Sequence, residues 1–139
     1  MNYSRIVLAA LGATVAYFLV GGLLFTSSLM KSEFQKYSAV YRTQEDMKGV
    51  WPIGIAGMLA SMFALAFLYA LLYRDGAGLI QGLRFGALIA AFAVGSFVLH
   101  NHVNLNIGLR LTLFQAVAYS FEWLVVGAVI GLVYRAPSH

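Results

Sequence analysis

Four long apolar runs alternate with short polar segments along the chain, at residues 5–25, 50–73, 79–101 and 111–134. A helix rises about 1.5 Å per residue, so a run of about 20 residues crosses the roughly 30 Å hydrocarbon core of a bilayer. The runs are continuously apolar, whereas the strands of an outer-membrane barrel alternate between apolar and polar positions. We therefore predict an all-α integral membrane four-helix bundle.

Small residues recur at helical spacing within each run, which is typical of helix faces that approach one another closely in a membrane. These predicted faces are Ala9, Gly12, Ala13 and Ala16 in the first run; Gly54, Gly57, Ser61 and Ala64 in the second; Gly82, Gly86, Ala93, Ser96 and His100 in the third; and Ala116, Ser120, Gly127 and Gly131 in the fourth.

The fourth run also carries a polar stripe. At about 100° per residue, its polar residues fall within roughly 100° of one another on one side of the helix: Thr112, Gln115, Tyr119 and Glu122. Glu122 lies near mid-membrane, where an ionised carboxylate costs at least about 2.5 kcal/mol. It should therefore face the bundle or water, pair with a partner, or hold a proton.

Two interpretations of Glu122 remain open. It is either a neutral or paired hydrogen-bonding group between helices, or a working group that binds a proton, a cation or a ligand. In the second case Tyr119, Gln115 and His100 are the candidates to line a pathway with it.

His100 and His102 offer only a weak metal signal. At a spacing of two they project to nearly opposite sides of a helix, which is poor geometry for one metal ion. His100 continues the small-residue face of the third run and should face other helices. Hydrogen-bonded or interfacial histidines are the more typical interpretation, so we predict no metal and no cofactor.

The longest polar segment, residues 31–49, follows the first run. Met30, Phe34, Tyr37 and Tyr41 recur there at helical spacing, as in a short helix that lies at the lipid headgroups. A solvated loop with scattered aromatic residues is the alternative. Thr43 and Asp46 predict a helix that starts near Gln44, and Trp51-Pro52 predicts a break or a first-turn proline.

The connections suggest how the spans are paired. Residues 75–78 form a tight turn by composition, so the second and third spans should be antiparallel neighbours. The second span ends Leu72-Tyr73-Arg74 and the fourth ends Val133-Tyr134-Arg135, while Arg5 and Arg84 lie near the starts of the first and third. This likeness predicts a repeat of two helical hairpins.

Composition limits the function. The 139 residues allow one transmembrane domain, residues 1–139, and 61% hydrophobic with 10% charged residues indicates lipid as the solvent. The net charge of +4 suits anionic lipid headgroups, and no basic patch with interleaved aromatics suggests nucleic acid. Without Cys, the chain has no disulfide or thiolate chemistry.

The order of features resembles uncharacterised families of small four-helix bacterial membrane proteins, grouped as domains of unknown function. The resemblance rests on Gly21-Gly22-Leu23-Leu24-Phe25, Glu45-Asp46-Met47-Lys48, the glycines from Gly82 onward, and Gly127-Ala128-Val129-Ile130-Gly131. It covers nearly the whole chain and implies the bacterial inner membrane, but it supplies no site residue. Arginines at the span ends suggest that both termini are cytoplasmic.

No nucleotide-binding glycine loop, His-Glu-x-x-His motif or spaced Ser, His and Asp set is found in the sequence, which disfavours an enzyme. We predict first a non-catalytic module that self-associates or docks onto a larger membrane complex. The alternative is a proton- or cation-linked carrier or channel for a small solute that uses Glu122. A holder of a His-ligated cofactor, or a membrane enzyme, is the third hypothesis.

Overall fold

The computed structural model describes residues 1–73 and 78–134, and every described regular element is helical. The elements are α1 (Tyr3–Phe25), α2 (Ser28–Gln35), α3 (Gln44–Lys48), α4 (Trp51–Leu72), α5 (Leu79–Ala93), a π-helix (Val94–Leu99), α6 (His100–Asn104) and α7 (Leu109–Val133). α5, the π-helix and α6 form one continuous span, Leu79–Asn104. With α1, α4 and α7 this makes four helices long and apolar enough to cross a membrane, which confirms the predicted fold class.

Two helices, α3 and α4, begin where the local sequence predicts. The Thr43 hydroxyl accepts a hydrogen bond from the Asp46 backbone N–H at 3.2 Å, and α3 begins at Gln44, directly after Thr43. Pro52 occupies the first turn of α4, where its missing N–H costs nothing. Both predictions are therefore confirmed.

α7 is the central helix, because it packs against α5 on one side and α1 on the other. The contact with α5 is backbone to backbone, where Gly82 and Gly86 meet Gly127 and Gly131. A methyl group at any of these four positions would collide with the opposite main chain. The small-residue faces predicted for the third and fourth spans thus include the true contact.

α1 packs on α7 and also on α4. Its predicted small-residue face is buried at Ala9 and Ala13, together with Ala10. α1 and α7 therefore form the centre of the bundle, with α4 packed on α1 and α5 packed on α7. The repeat of two helical hairpins stays a prediction.

The short connection 75–78 led us to expect α4 and α5 as packed neighbours; the structure does not describe residues 74–77. Instead, the extensive backbone contacts of α4 are with α1, and α4 meets α5 through side chains such as Tyr69 and Phe85, whose ring centroids lie 5.3 Å apart. The reason is that the glycine face of α5 is taken by α7. A short connection between two spans therefore does not decide which helices pack together; the helix faces do.

The polar segment after α1 folds over one end of the bundle. Met30 is buried there, and Phe34, Tyr37 and Tyr41 pack in the same cluster as Ile107 and Leu111. A short helix forms in this segment as α2, and it ends at Gln35 rather than continuing to Tyr41. Its apolar face covers the start of α7, so this face contacts protein.

Candidate functional site

Glu122 lies near the middle of the 25-residue α7 and is only 1% exposed. Its side chain is directed at α1, where it lies against Gly21, and a methyl group at Gly21 would collide with its Oε1. The missing side chain of Gly21 therefore provides the space that the carboxylate occupies.

Among the described residues, no hydrogen bond reaches Glu122 Oε2 and no salt bridge includes this side chain. The Tyr17 and Tyr119 hydroxyl groups lie within electrostatic range of it. A buried carboxylate without a donor is strongly disfavoured as an isolated ion. Glu122 therefore requires a proton or a cation to neutralise the negative charge of its carboxylate.

Aromatic pairs flank this position on both sides along the contact between α1 and α7. The Tyr17 and Trp123 ring centroids lie 5.5 Å apart, and the Phe25 and Tyr119 centroids lie 5.1 Å apart. On α1, Gly21 is four residues from each of its two aromatic neighbours, so all three share one helix face. The carboxylate consequently lies between two aromatic contacts, and we call Tyr17, Phe25, Phe97, Tyr119 and Trp123 the aromatic cage.

Phe97 joins this cage from the third span, with its ring centroid 5.7 Å from that of Tyr119. It belongs to the π-helix, in which the wider turn inserts one extra residue relative to an α-helix. Such an insertion rotates everything that follows by about 100°. The π-helix thus sets which residues of this span reach α7.

The same insertion explains a wrong prediction. We expected His100 to face the bundle and His102 to project away, but His100 is exposed, whereas His102 is half-buried with its Nδ1 2.9 Å from Thr112 Oγ1. Ser96 is likewise exposed, because the small-residue face leaves the interface where the π-helix begins. Regular helical spacing cannot anticipate this change of register.

The polar stripe of α7 faces the bundle rather than water: Thr112 is 0% exposed and Gln115 5% exposed. Gln115 Nε2 donates to the Tyr41 hydroxyl at 3.4 Å, while Gln115 Oε1 lacks a partner among the described residues. Together with Tyr119, the Thr112 and Gln115 side chains form a row of polar groups along α7. The row runs from the end of the bundle covered by α2 to Glu122. The structure therefore brings together three of the four pathway candidates, Gln115, Tyr119 and Glu122, and separates His100 from them.

A second buried carboxylate, Glu33 on α2, was not recognised as a site residue from the sequence. It is 2% exposed, and its Oε1 forms salt bridges with Lys36 Nζ at 2.7 Å and with Arg110 Nε at 3.2 Å. The guanidinium of Arg110 also lies 5.4 Å from the centre of the Phe114 ring. The ion pair with Arg110 fastens α2 to the start of α7, and no local sequence signal links residues so far apart.

The predicted small-residue face of α4 is exposed. Gly54, Gly57, Ser61 and Ala64 all lie on the surface, and nothing lies within 4 Å of a methyl group placed at either glycine. In a membrane this face meets lipid or another protein.

Within residues 1–73 and 78–134, no three His, Cys, Asp or Glu side chains are grouped so as to hold a metal ion. The two weak metal candidates, His100 and His102, are accordingly not joined by a third ligand in that part of the chain. No protein-family model matches the sequence, and no curated protein or solved structure is significantly similar to it.

Proposed function

We propose that this protein is a small proton- or cation-linked membrane carrier or channel in which Glu122 binds the transported ion. The observation that carries the proposal is the buried carboxylate at Gly21 with an oxygen that no described residue hydrogen-bonds. A purely structural carboxylate would be expected to accept a hydrogen bond from a neighbouring helix, because that bond offsets its cost of burial. Glu122 accepts none at Oε2 from the described residues.

The buried polar stripe of α7 supports a route by which a proton or cation reaches Glu122. Thr112, Gln115 and Tyr119 supply polar atoms along one face, from the end near Arg110 to Glu122. Polar side chains that face a bundle interior are expensive in a membrane and commonly mark ion or proton pathways. The proposed setting is the bacterial inner membrane with both termini cytoplasmic, in a member of the small four-helix families that the sequence resembles.

The test is Glu122-dependent ion flux in proteoliposomes. An imposed pH gradient should drive the exchange of protons for a monovalent cation across the membrane of vesicles that contain the wild-type protein, measured with an internal pH dye and a cation-sensitive dye. Glu122→Gln keeps the shape and removes the charge, and it should reduce flux to the level of protein-free vesicles. Glu45→Gln is the matched control, since Glu45 is 83% exposed and lies on α3. Equal flux in the wild type and in Glu122→Gln would refute the proposal.

A second candidate function, a self-associating or accessory membrane module, is favoured by the exposed face of α4. Its glycines are surrounded by open space, and small residues at such spacing allow a second backbone to approach closely. Gly57→Leu should then lower the oligomeric mass measured by light scattering in detergent. Gly22→Leu is the matched control, because Gly22 is also exposed with open space around it, on α1. A wild-type mass equal to the monomer would contradict this function.

A further inference from the structure

The surroundings of Glu122 restrict what can bind there. Zinc requires about four nitrogen, sulfur or oxygen ligands, and calcium requires six to eight oxygens. Glu122 offers one carboxylate, and in the described ranges it belongs to no group of three or more His, Cys, Asp or Glu side chains that could hold a metal ion. Within the described residues, the site therefore lacks the protein ligands that zinc or calcium requires.

Small alkali cations fit poorly for a related reason. They give up their hydration shell only where several oxygens replace it, as carbonyl oxygens do in potassium channels. The flanking groups here are rings: Tyr17 with Trp123 on one side of the carboxylate, and Phe25 with Tyr119 on the other. Aromatic faces attract cations most strongly when the cation is desolvated. One negative charge among rings matches a singly charged, weakly hydrated cation.

The position of the cage also suits a ligand that arrives from the lipid. Phe97 contacts Tyr119 and is itself 50% exposed on the surface of the spanning region. A methyl group at Gly95, in the same π-helix, would have nothing within 4 Å. The cage therefore reaches the lipid-facing surface at the π-helix.

We infer that the cation bound at Glu122 is a lipophilic organic monocation, of the quaternary ammonium or phosphonium kind, held by the carboxylate and the aromatic cage in exchange for one proton. This inference rests on the proposed carrier function and names its substrate class. On binding, the O–H bond of protonated Glu122 breaks, the proton leaves to water, and the carboxylate pairs with the cation, so no covalent bond forms and the net charge of the site is conserved. The titratable groups that face the carboxylate are Tyr17 on α1 and Tyr119 on α7.

The test uses tetraphenylphosphonium with the full chain in lipid nanodiscs. Calorimetry measures binding, and a pH dye in weak buffer measures proton release. We expect saturable binding with one proton released per cation bound, no binding or proton release with Glu122→Gln, and no response to sodium at the same concentration. Empty nanodiscs correct for partition of the probe into lipid.

The aromatic cage is tested separately. Tyr119→Leu removes a ring and should weaken binding by about threefold to thirtyfold, the range expected for one cation–π contact. Tyr119→Phe keeps the ring and should bind within about threefold of the wild type. Phe92→Leu removes an exposed ring of α5 outside the cage and should change nothing.

The outcomes separate the two proposals. Glu122-dependent flux of protons or sodium without tetraphenylphosphonium binding would overturn the organic-cation inference and leave the carrier function standing. Binding that persists in Glu122→Gln, or that releases no proton, would also overturn it. Absence of both binding and Glu122-dependent flux would refute both proposals.

Discussion

Gly21 of α1 and Glu122 of α7 share one contact point, at which the carboxylate fills the space that a side chain on α1 would occupy. The next residue, Gly22, has nothing within 4 Å of the position its methyl group would take. Two adjacent glycines in a helix thus have different roles. This difference provides a direct test of the geometry around the carboxylate.

Gly21→Ala should displace Glu122 while leaving the fold intact. The new methyl group meets the end of a flexible side chain, which can rotate away, so we expect the free energy of unfolding to change by less than about 1 kcal/mol. Flux and tetraphenylphosphonium binding should fall because the carboxylate leaves its place in the aromatic cage. Gly22→Ala should affect neither measurement. Full activity in Gly21→Ala would contradict the contact.

Gly127→Ala should destabilise the bundle, because its methyl group would collide with the backbone of Gly82 and Gly86. A main chain cannot rotate away as a side chain can, so α5 and α7 must separate, at a cost of about 1–3 kcal/mol. Unfolding in a denaturing detergent measures this change. Gly95→Ala is the control: it meets open space and should be neutral or slightly stabilising, since alanine favours a helix over glycine. Equal stabilities for the two variants would refute the close contact.

Arg110→Gln should loosen α2 from the bundle. The variant removes the cationic partner that α7 supplies to Glu33 and leaves only Lys36, which lies on α2 itself. Glu33 is 3% exposed but Arg110 is 65% exposed, so water partly screens the pair and its loss should cost about 1–2 kcal/mol. We expect faster amide exchange across residues 28–35.

Lys48→Gln provides the comparison for that variant. The pair of Lys48 with Glu45 is exposed on both sides, with side chains 63% and 83% exposed, and such pairs contribute at most about 1 kcal/mol. Exchange across residues 28–35 should therefore match the wild type. If Arg110→Gln behaves in the same way, the ion pair of Glu33 with Arg110 does not hold α2 in place.

Thr112→Val should remove the contact between α7 and His102 with little change in side-chain shape. The loss of a partly buried hydrogen bond predicts a destabilisation of about 0.5–1.5 kcal/mol, measurable by thermal unfolding in detergent. His100→Ala should have no effect, because the π-helix leaves His100 on the surface. If His100→Ala destabilised the protein more than Thr112→Val, the result would contradict the π-helix and indicate a regular helix with His100 facing the bundle.

The spacing of the small residues correctly predicted that Gly82 and Gly86 face another helix, because glycine has no side chain in any environment and its position on a regular helix follows from residue number. The same spacing in α4 did not identify a contact within the chain, since Gly54 and Gly57 are exposed. A small-residue face allows another helix to approach closely, and the folded structure determines whether one does.

The length and continuous apolar character of the four runs determined that this chain forms four helices long and apolar enough to span a membrane, with a carboxylate near the middle of the last. In lipid a span must satisfy its own backbone hydrogen bonds, which such helices do. Only the tertiary structure decided what meets each side chain. The π-helix leaves His100 exposed and His102 half-buried. Glu33 forms a salt bridge with Arg110, which is distant in the sequence, and Glu122 lies in the space that a side chain at Gly21 would occupy. These contacts depend on the rotation and crossing of packed helices, which are set by the whole bundle rather than by any local run of residues.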